Sequence, residues 1–548
     1  MLKRWPIALR AAICTAVPVL LGWAAGDIGA GLIASIGAFT TRYGGDRPYA
    51  NRAVLLSVIA VALSGAVALG DWAAQIPWLG VLTVSVVAVA AVWLCNALEV
   101  GPPGAYIFSV ACAVGLGVSA AHLPSWRIGL LVLAGATFAW VVQMAGAVVD
   151  YRRPEQRAVI GAGEAVAAYL SAVGTTGERT ARLRAATALH RAWRVLVQYQ
   201  PVSPSPQSPL GRLRATNHAV HVAFADAMAH PEQVTGSDVD AVRHLVSTTS
   251  DEPPTVRDPE RIPLGGPATA TALRRALVRG SHTRHVMVRV AIAAPVAGLL
   301  AALLGYGHAY WAMAAAVLVL HQGADRVWTL RRGAERTVGT FLGLGLAGII
   351  LIVHPQGPLL ALVLAVLLFG VEMLVQRNYT LAAVLITATA LTIASGAHRV
   401  DVGDLLVDRG VDTLIGCVVA LVVYLAAVRY QEATRVPAAI ARTLDAVAIT
   451  AAYLARADAT SLDARTARRD LQIATIAMME SHEAAGVGNA AQRQSATRLW
   501  PVVVSAEYLA YQVISACWEL QHHPGQSYPV RYAHWSDRAA ALRGQITG

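Results

Sequence analysis

The residues whose types and spacing could do chemistry are ionisable groups at the edges of long apolar runs. Glu99 is followed seven residues later by Tyr106, and Glu372 seven residues later by Tyr379. Between them stand Gly101-Pro102-Pro103-Gly104 in one case and Gln376-Arg377-Asn378 in the other. A Pro-Pro-Gly turn interrupts backbone hydrogen bonding, which membrane depth tolerates only inside protein or beside a water-filled cavity. Asp46-Arg47 and Asp325-Arg326 form a second matched pair. Two readings stand. These groups frame a vestibule in which a buried carboxylate accepts a proton, or they are interfacial charges that fix topology or lock helices through ion pairs. Arg409 and Asp412 lie three residues apart, on one helix face. They read either as functional charge or as an interfacial ion pair. No covalent catalyst, phosphate-binding loop, dinucleotide fingerprint or metal spacing is present, and His522-His523 is adjacent rather than four apart. An enzyme, a metal and a cofactor are therefore not expected.

Composition says what must position these groups. Of 548 residues, 56% are hydrophobic and 14% charged, and the mean hydropathy is +0.51. A soluble chain carries nearer one-quarter charged residues. Apolar runs of about 20 residues, the length that crosses a bilayer core, recur through the chain. Residues 9–47 align without a gap on 288–326 at an offset of 279, pairing Arg10 with Arg289, Gly26 with Gly305, Gly44 with Gly323, Asp46 with Asp325 and Arg47 with Arg326. A repeat of this kind sets architecture before any single residue does.

The expected fold is an all-α polytopic membrane protein with two parallel six-helix transmembrane repeats, each followed by a cytoplasmic helical domain. The boundaries are 1–150, 151–284, 285–430 and 431–548. The first repeat has spans near Ile7–Ala25, Gly29–Thr41, Ala53–Gly70, Trp78–Asn96, Ala105–His122 and Ile128–Val149. The second has spans near His285–Leu304, His308–His321, Thr337–Val353, Leu359–Val375, Tyr379–Ser395 and Val411–Val428. Ile7–Ala25 reads as a span and not as a cleaved leader. Basic residues collect on one side: Lys3, Arg4 and Arg10, then Arg42, Arg47 and Arg52, then Arg152, Arg153 and Arg157. By the positive-inside rule both termini are cytoplasmic. The net charge of +11 is thus a topology signal, and nucleic acid is not expected as a partner. The arginines of Glu178–Gln200 are expected to form a solvated face. The five cysteines have no CxxC spacing and read as packing residues.

Several short motifs, in order, carry a family resemblance. Arg336-x-x-Gly339-Thr340-x-x-Gly343, preceded by Trp311 and a basic turn, resembles the fusaric acid resistance family, also called the aromatic acid exporter family. Arg377-Asn378-Tyr379 followed by Thr387 and Thr389 resembles its fifth-span motif, and Arg409 with Asp412-Thr413-x-x-Gly416 its sixth. Gly101-Pro102-Pro103-Gly104-Ala105-Tyr106 is similar to its N-terminal module. The first half lacks the Arg-x-x-Gly-Thr pattern after Arg52, so sites carry over more firmly to the second. The resemblance implies efflux of weak organic acids, typically aromatic carboxylates, across a bacterial inner membrane, driven by the proton gradient. Arg326, Arg336, Arg377 and Arg47 would then meet the substrate carboxylate through bidentate forks. Trp311 and Tyr379 would stack on an aromatic ring. Glu372, Glu99, Asp412 and Asp325 would carry protons. An organic-anion channel and a non-transporting envelope scaffold are the alternatives. Partners are the organic anion, the lipid bilayer and, as an open alternative, further copies of the chain through its cytoplasmic domains.

Overall fold

The structure is a computed structural model. It describes residues 4–547 except 118–122, 201–203, 248–268, 279–280, 306–308, 322–325, 397–401, 429–434, 488–489 and 523–528. Among the described residues it is helical, with no strand. The helices of the first apolar half are α1 (Trp5–Ala24), α2 (Ile28–Ser35), continued as a 3₁₀ turn over Ile36–Arg42, α3 (Tyr49–Ala73), α4 (Pro77–Ala97), α5 (Tyr106–Gly117), α6 (Ser125–Met144) and α7 (Gly146–Val149). Then come α8 (Arg153–Leu170), α9 (Glu178–Trp193), α10 (Pro209–Ala229), α11 (Gly236–Ser247) and α12 (Thr269–Leu277). The second apolar half has α13 (His282–Leu303), α14 (Tyr310–Leu320), α15 (Arg326–Val353), α16 (Gly357–Leu374), α17 (Tyr379–Gly396) and α18 (Val402–Val428). The chain closes with α19 (Arg435–Ala455), α20 (Leu462–Gly486), α21 (Ala490–His522) and α22 (Pro529–Thr547).

These helices form two compact units. One holds residues 1–45, 52–149 and 267–429; the other holds 46–51, 150–266 and 430–548. The first is the apolar unit. Nine helices among the described residues are long and apolar enough to cross a membrane, and eight of them lie in this unit. Its outer surface supports that reading, because Val54, Val58, Val61, Leu82, Val86, Leu130, Leu342, Leu362, Val366 and Val422 are all exposed. So many exposed aliphatic side chains suit a lipid solvent, not water. Trp5, Trp23, Trp72, Trp78 and Trp126 are exposed near helix ends, where indole rings favour the bilayer interface.

Helices α5 and α14 are short, with 12 and 11 residues. At about 1.5 Å per residue neither covers a core of about 30 Å. Most residues of both are buried against neighbouring helices. The packing of the unit is reciprocal: α1 packs on α16 and α13 on α4, while α5 meets α14 and α2 meets α17. Glycines allow the closest approaches. A Cβ on Gly339 would fall 2.6 Å from the Thr380 carbonyl oxygen, and one on Gly343 would fall 2.7 Å from that of Val384. The Gly-x-x-x-Gly spacing of α15 therefore serves backbone contact with α17.

One local expectation is corrected. The basic turn expected ahead of Gly339 is helix, so Arg331, Arg332 and Arg336 do not sit in a turn. They occupy the first turns of α15, and Arg336 is 2% exposed. Arg409 and Asp412, expected either as functional charge or as an interfacial ion pair, are both buried within α18.

The second unit gathers the two polar segments around one core. Val159, Val166 and Leu189 from the first segment share it with Ile440, Leu471, Val503 and Leu509 from the second. Its helix α19 is the ninth apolar one. The buried residues Val436, Ile440, Leu444, Val447, Ala451 and Leu454 recur at helical spacing towards this core, which is how a packing helix is patterned. Of the arginines of α9, Arg179, Arg184 and Arg191 are exposed, as a solvated face requires, while Arg182 turns inward. Arg182 donates to both carboxylate oxygens of the buried Glu507, at 3.2 and 2.8 Å, and the Arg179 guanidinium lies 3.6 Å from the Trp500 ring centroid. The buried His221 bonds through Nδ1 to the Asn217 carbonyl, and burial pushes its pKa down to about 4.

Gly343→Val is expected to push a methyl group into the α17 backbone and cost about 1–3 kcal/mol, read as a lower melting temperature in detergent. A second expectation concerns pH. Below the ordinary His value of 6.5 the unfolded chain takes a proton that buried His221 refuses. This contribution is complete above pH 6.5 and declines as pH falls towards 4. In His221→Asn, thermal unfolding of the second unit should fall less steeply between pH 6.5 and 4 than in the wild type.

Candidate functional site

A cavity of ≈ 270 Å³ lies inside the apolar unit. Ile33, Phe39 and Arg42 line it from α2 and its 3₁₀ extension. Tyr106 and Val110 contribute from α5, Tyr310 and Trp311 from α14, and Arg336 from α15. Leu368 and Val371 follow from α16, Thr389 and Ile393 from α17, and Arg409 from α18. The walls are mostly apolar and aromatic, with three guanidinium groups. The volume is near the lower bound of about 300 Å³ for small-molecule pockets.

Each arginine is held differently. Arg42 Nε lies 2.9 Å from Glu372 Oε1, in a pair whose side chains are 14% and 8% exposed. Arg409 stacks on Trp311, its guanidinium carbon 3.5 Å from the ring centroid, a cation–π contact that offsets part of the burial cost. Arg336 is the least satisfied, because its Nε and Nη1 are buried with no hydrogen-bond partner. It lies close to Tyr106 and Tyr379. Behind the cavity wall, Asp412 is fully buried and neither carboxylate oxygen has a hydrogen-bond partner. The expected alternative of an Arg409–Asp412 ion pair is therefore not the arrangement found.

The sequence-derived site residues separate into groups. Arg336 and Trp311 line the cavity. Glu372 joins it through Arg42. Tyr379 is buried, with the Arg332 guanidinium 3.2 Å from its ring centroid. Arg377 is exposed, in the turn before α17. Glu99 is exposed at the end of α4, in a left-handed backbone conformation with φ of 48°. Arg47 belongs to the second unit, where it stacks on Tyr199 at 4.3 Å and donates to Asn51 at 3.1 Å. Arg326 opens α15, but its side chain, like the whole of Asp325, lies outside the described residues.

Sequence reasoning passed over Arg42 as a topology-setting cation. The signal that could have found it is its position: it ends an apolar stretch too short to leave the membrane freely. Arg409 was visible through its motif and its spacing from Asp412, but its place on the cavity wall beside Trp311 was not.

These features define a multi-pass membrane protein with a cation-lined internal cavity. Residues 296–423 match the family described as fusaric acid resistance protein-like. The whole chain is similar to the uncharacterized membrane protein YvaC of Bacillus subtilis (strain 168), at 25% identity over 93% of this chain and 85% of that protein. No solved structure matches. The family match thus falls within the second apolar half, and the chain-long similarity is to a membrane protein.

Arg42→Ala leaves Glu372 buried without its partner and is expected to destabilise the protein by about 3–5 kcal/mol. Adding Glu372→Gln should recover much of that loss. Melting of the two single variants and the double variant in detergent would measure the coupling.

Proposed function

We propose that this protein is an efflux transporter for weak organic acids, aromatic carboxylates above all, driven by the proton gradient across a bacterial inner membrane. The observation that carries this reading is the cavity itself: Arg42, Arg336 and Arg409 face an apolar chamber that also holds Tyr106, Tyr310 and Trp311. A guanidinium offers two parallel donors to a carboxylate, and an aromatic wall accepts a ring. Arg336 is the primary anion contact, since its Nε and Nη1 have no other hydrogen-bond partner. Trp311 and Arg409 hold the ring end. Glu372 releases Arg42 to the substrate when it takes up a proton. Asp412 is the second proton carrier, buried where uptake of a proton removes a charge.

The membrane architecture fits the same reading. Two parallel six-helix repeats, related by a two-fold axis along the membrane normal, would generate the reciprocal packing of α1 on α16 and α13 on α4. With the basic loops inside, both termini and the second unit lie in the cytoplasm.

The test is uptake of radiolabelled benzoate into inside-out membrane vesicles, with and without an imposed proton gradient. Wild type should accumulate benzoate only with the gradient. Arg336→Ala and Arg409→Ala should lose at least about tenfold in rate, corresponding to one charge-assisted contact of about 1.5–3 kcal/mol. Asp412→Asn should abolish gradient-driven accumulation. Transport that ignores the gradient, yet still needs Arg336, would make the protein an anion channel. Arginine variants as active as wild type would overturn the assignment of the cavity.

A further inference from the structure

A second cavity lies wholly within the second unit, far simpler in its chemistry. It has a volume of ≈ 30 Å³, and its lining includes Trp193 of α9, His221 of α10, Arg468 and Ile473 of α20, and Trp518 of α21. None of the lining residues is acidic. Arg468 is 6% exposed and makes one hydrogen bond, from Nη1 to the neutral amide oxygen of Gln521 at 3.0 Å. Its Nη2 is buried with no hydrogen-bond partner, and no carboxylate pairs with it among the described residues. The Trp518 ring supports the guanidinium from one side, with the carbon 4.3 Å from the ring centroid. Trp193 is 6% exposed, and its Nε1 donor likewise has no hydrogen-bond partner.

Two orphaned donors and a buried cation without a carboxylate are costly arrangements. An oxyanion in the cavity that both residues line would supply the missing acceptor. The neighbouring Arg469 does not need one, since its Nη2 already lies 2.8 Å from Asp470. Burial and the nearby cations hold both His190 and His221 at about 4, so neither adds charge at neutral pH, and the field in the cavity comes from its arginines. The volume admits the oxygens of one small anionic group and little else, since one water needs about 10–15 Å³ on this scale. Among the lining residues Ile473 is exposed and offers an apolar surface beside the arginines.

We infer that this cavity binds the carboxylate of a small organic anion, with Arg468 Nη2 and Trp193 Nε1 as donors and the apolar body of the ligand against Ile473. The site is separate from the membrane cavity, and the inference does not rest on the transport reading.

The experiment is isothermal titration of full-length protein in nanodiscs with sodium benzoate and, separately, with inorganic phosphate. Benzoate binding is expected in the wild type and unchanged at this site in the Arg336→Ala/Arg409→Ala double variant, which disables only the membrane cavity. Affinity should fall at least tenfold in Arg468→Gln and in Trp193→Phe, and to a lesser degree in Arg468→Lys, which keeps the charge but not the fork. If Arg468→Gln melts early, Trp193→Phe and Arg468→Lys carry the comparison. Equal benzoate affinity in wild type and Trp193→Phe would overturn the assignment. So would binding of phosphate without benzoate, or benzoate binding that disappears with the membrane-cavity variant.

Discussion

A guanidinium buried among apolar side chains must be answered by an anion, a π face or a polar ligand, and the apolar unit is built around that demand. Arg42 is answered by Glu372, Arg332 by the ring of Tyr379 and Arg409 by the ring of Trp311. Each answer comes from a different helix. The ion pair ties the 3₁₀ extension of α2 to α16, and the two ring contacts tie α15 to α17 and α18 to α14. Together with the glycine contacts between α15 and α17, these links join six elements of the unit around the cavity. Arg336 completes the set by having an incomplete answer at Nε and Nη1. The cavity is open where the compensation stops.

Much of this was legible in the sequence, and the reasons are physical. Apolar runs of bilayer length, with arginines on one side, report the helices of the membrane unit because hydropathy and the positive-inside bias act locally. The shortness of the second apolar stretch, Gly29–Thr41, was legible for the same reason, whereas the fifth read as a span over Ala105–His122 and its helix covers Tyr106–Gly117. Trp311 and Arg336 were found through a motif, and both line the cavity. Distances across the bundle were not legible. Arg42 is 330 residues from Glu372, and nothing in local spacing joins them. Arg409 and Asp412 looked like partners because they share a helix face, yet the guanidinium lies over the Trp311 ring instead. Arg47 resembles Arg326 in the repeat, but its guanidinium lies on Tyr199 of the second unit. Charge on α9 read as solvated, which holds for Arg184 and Arg191 but not for Arg182, because a periodic pattern shows which residues share a face, not what covers it. Glu507, which pairs with Arg182, stands over 300 residues away.

The second unit is one hydrophobic core drawn from two stretches of chain, 150–266 and 430–548, with residues 267–429 of the membrane unit between them. That interruption sets an order of events during synthesis. Helices α8 to α11 are complete long before α19 to α22 exist to cover their apolar faces. At roughly 5–20 residues per second, the intervening membrane segment takes roughly 10–30 s to make. For that time Val159, Val166 and Leu189 lack the half of their core that the C-terminal segment supplies. The buried Glu507–Arg182 pair can close only after the last apolar span has left the ribosome. Completion of the second unit therefore reports that the second half of the membrane unit has already been made.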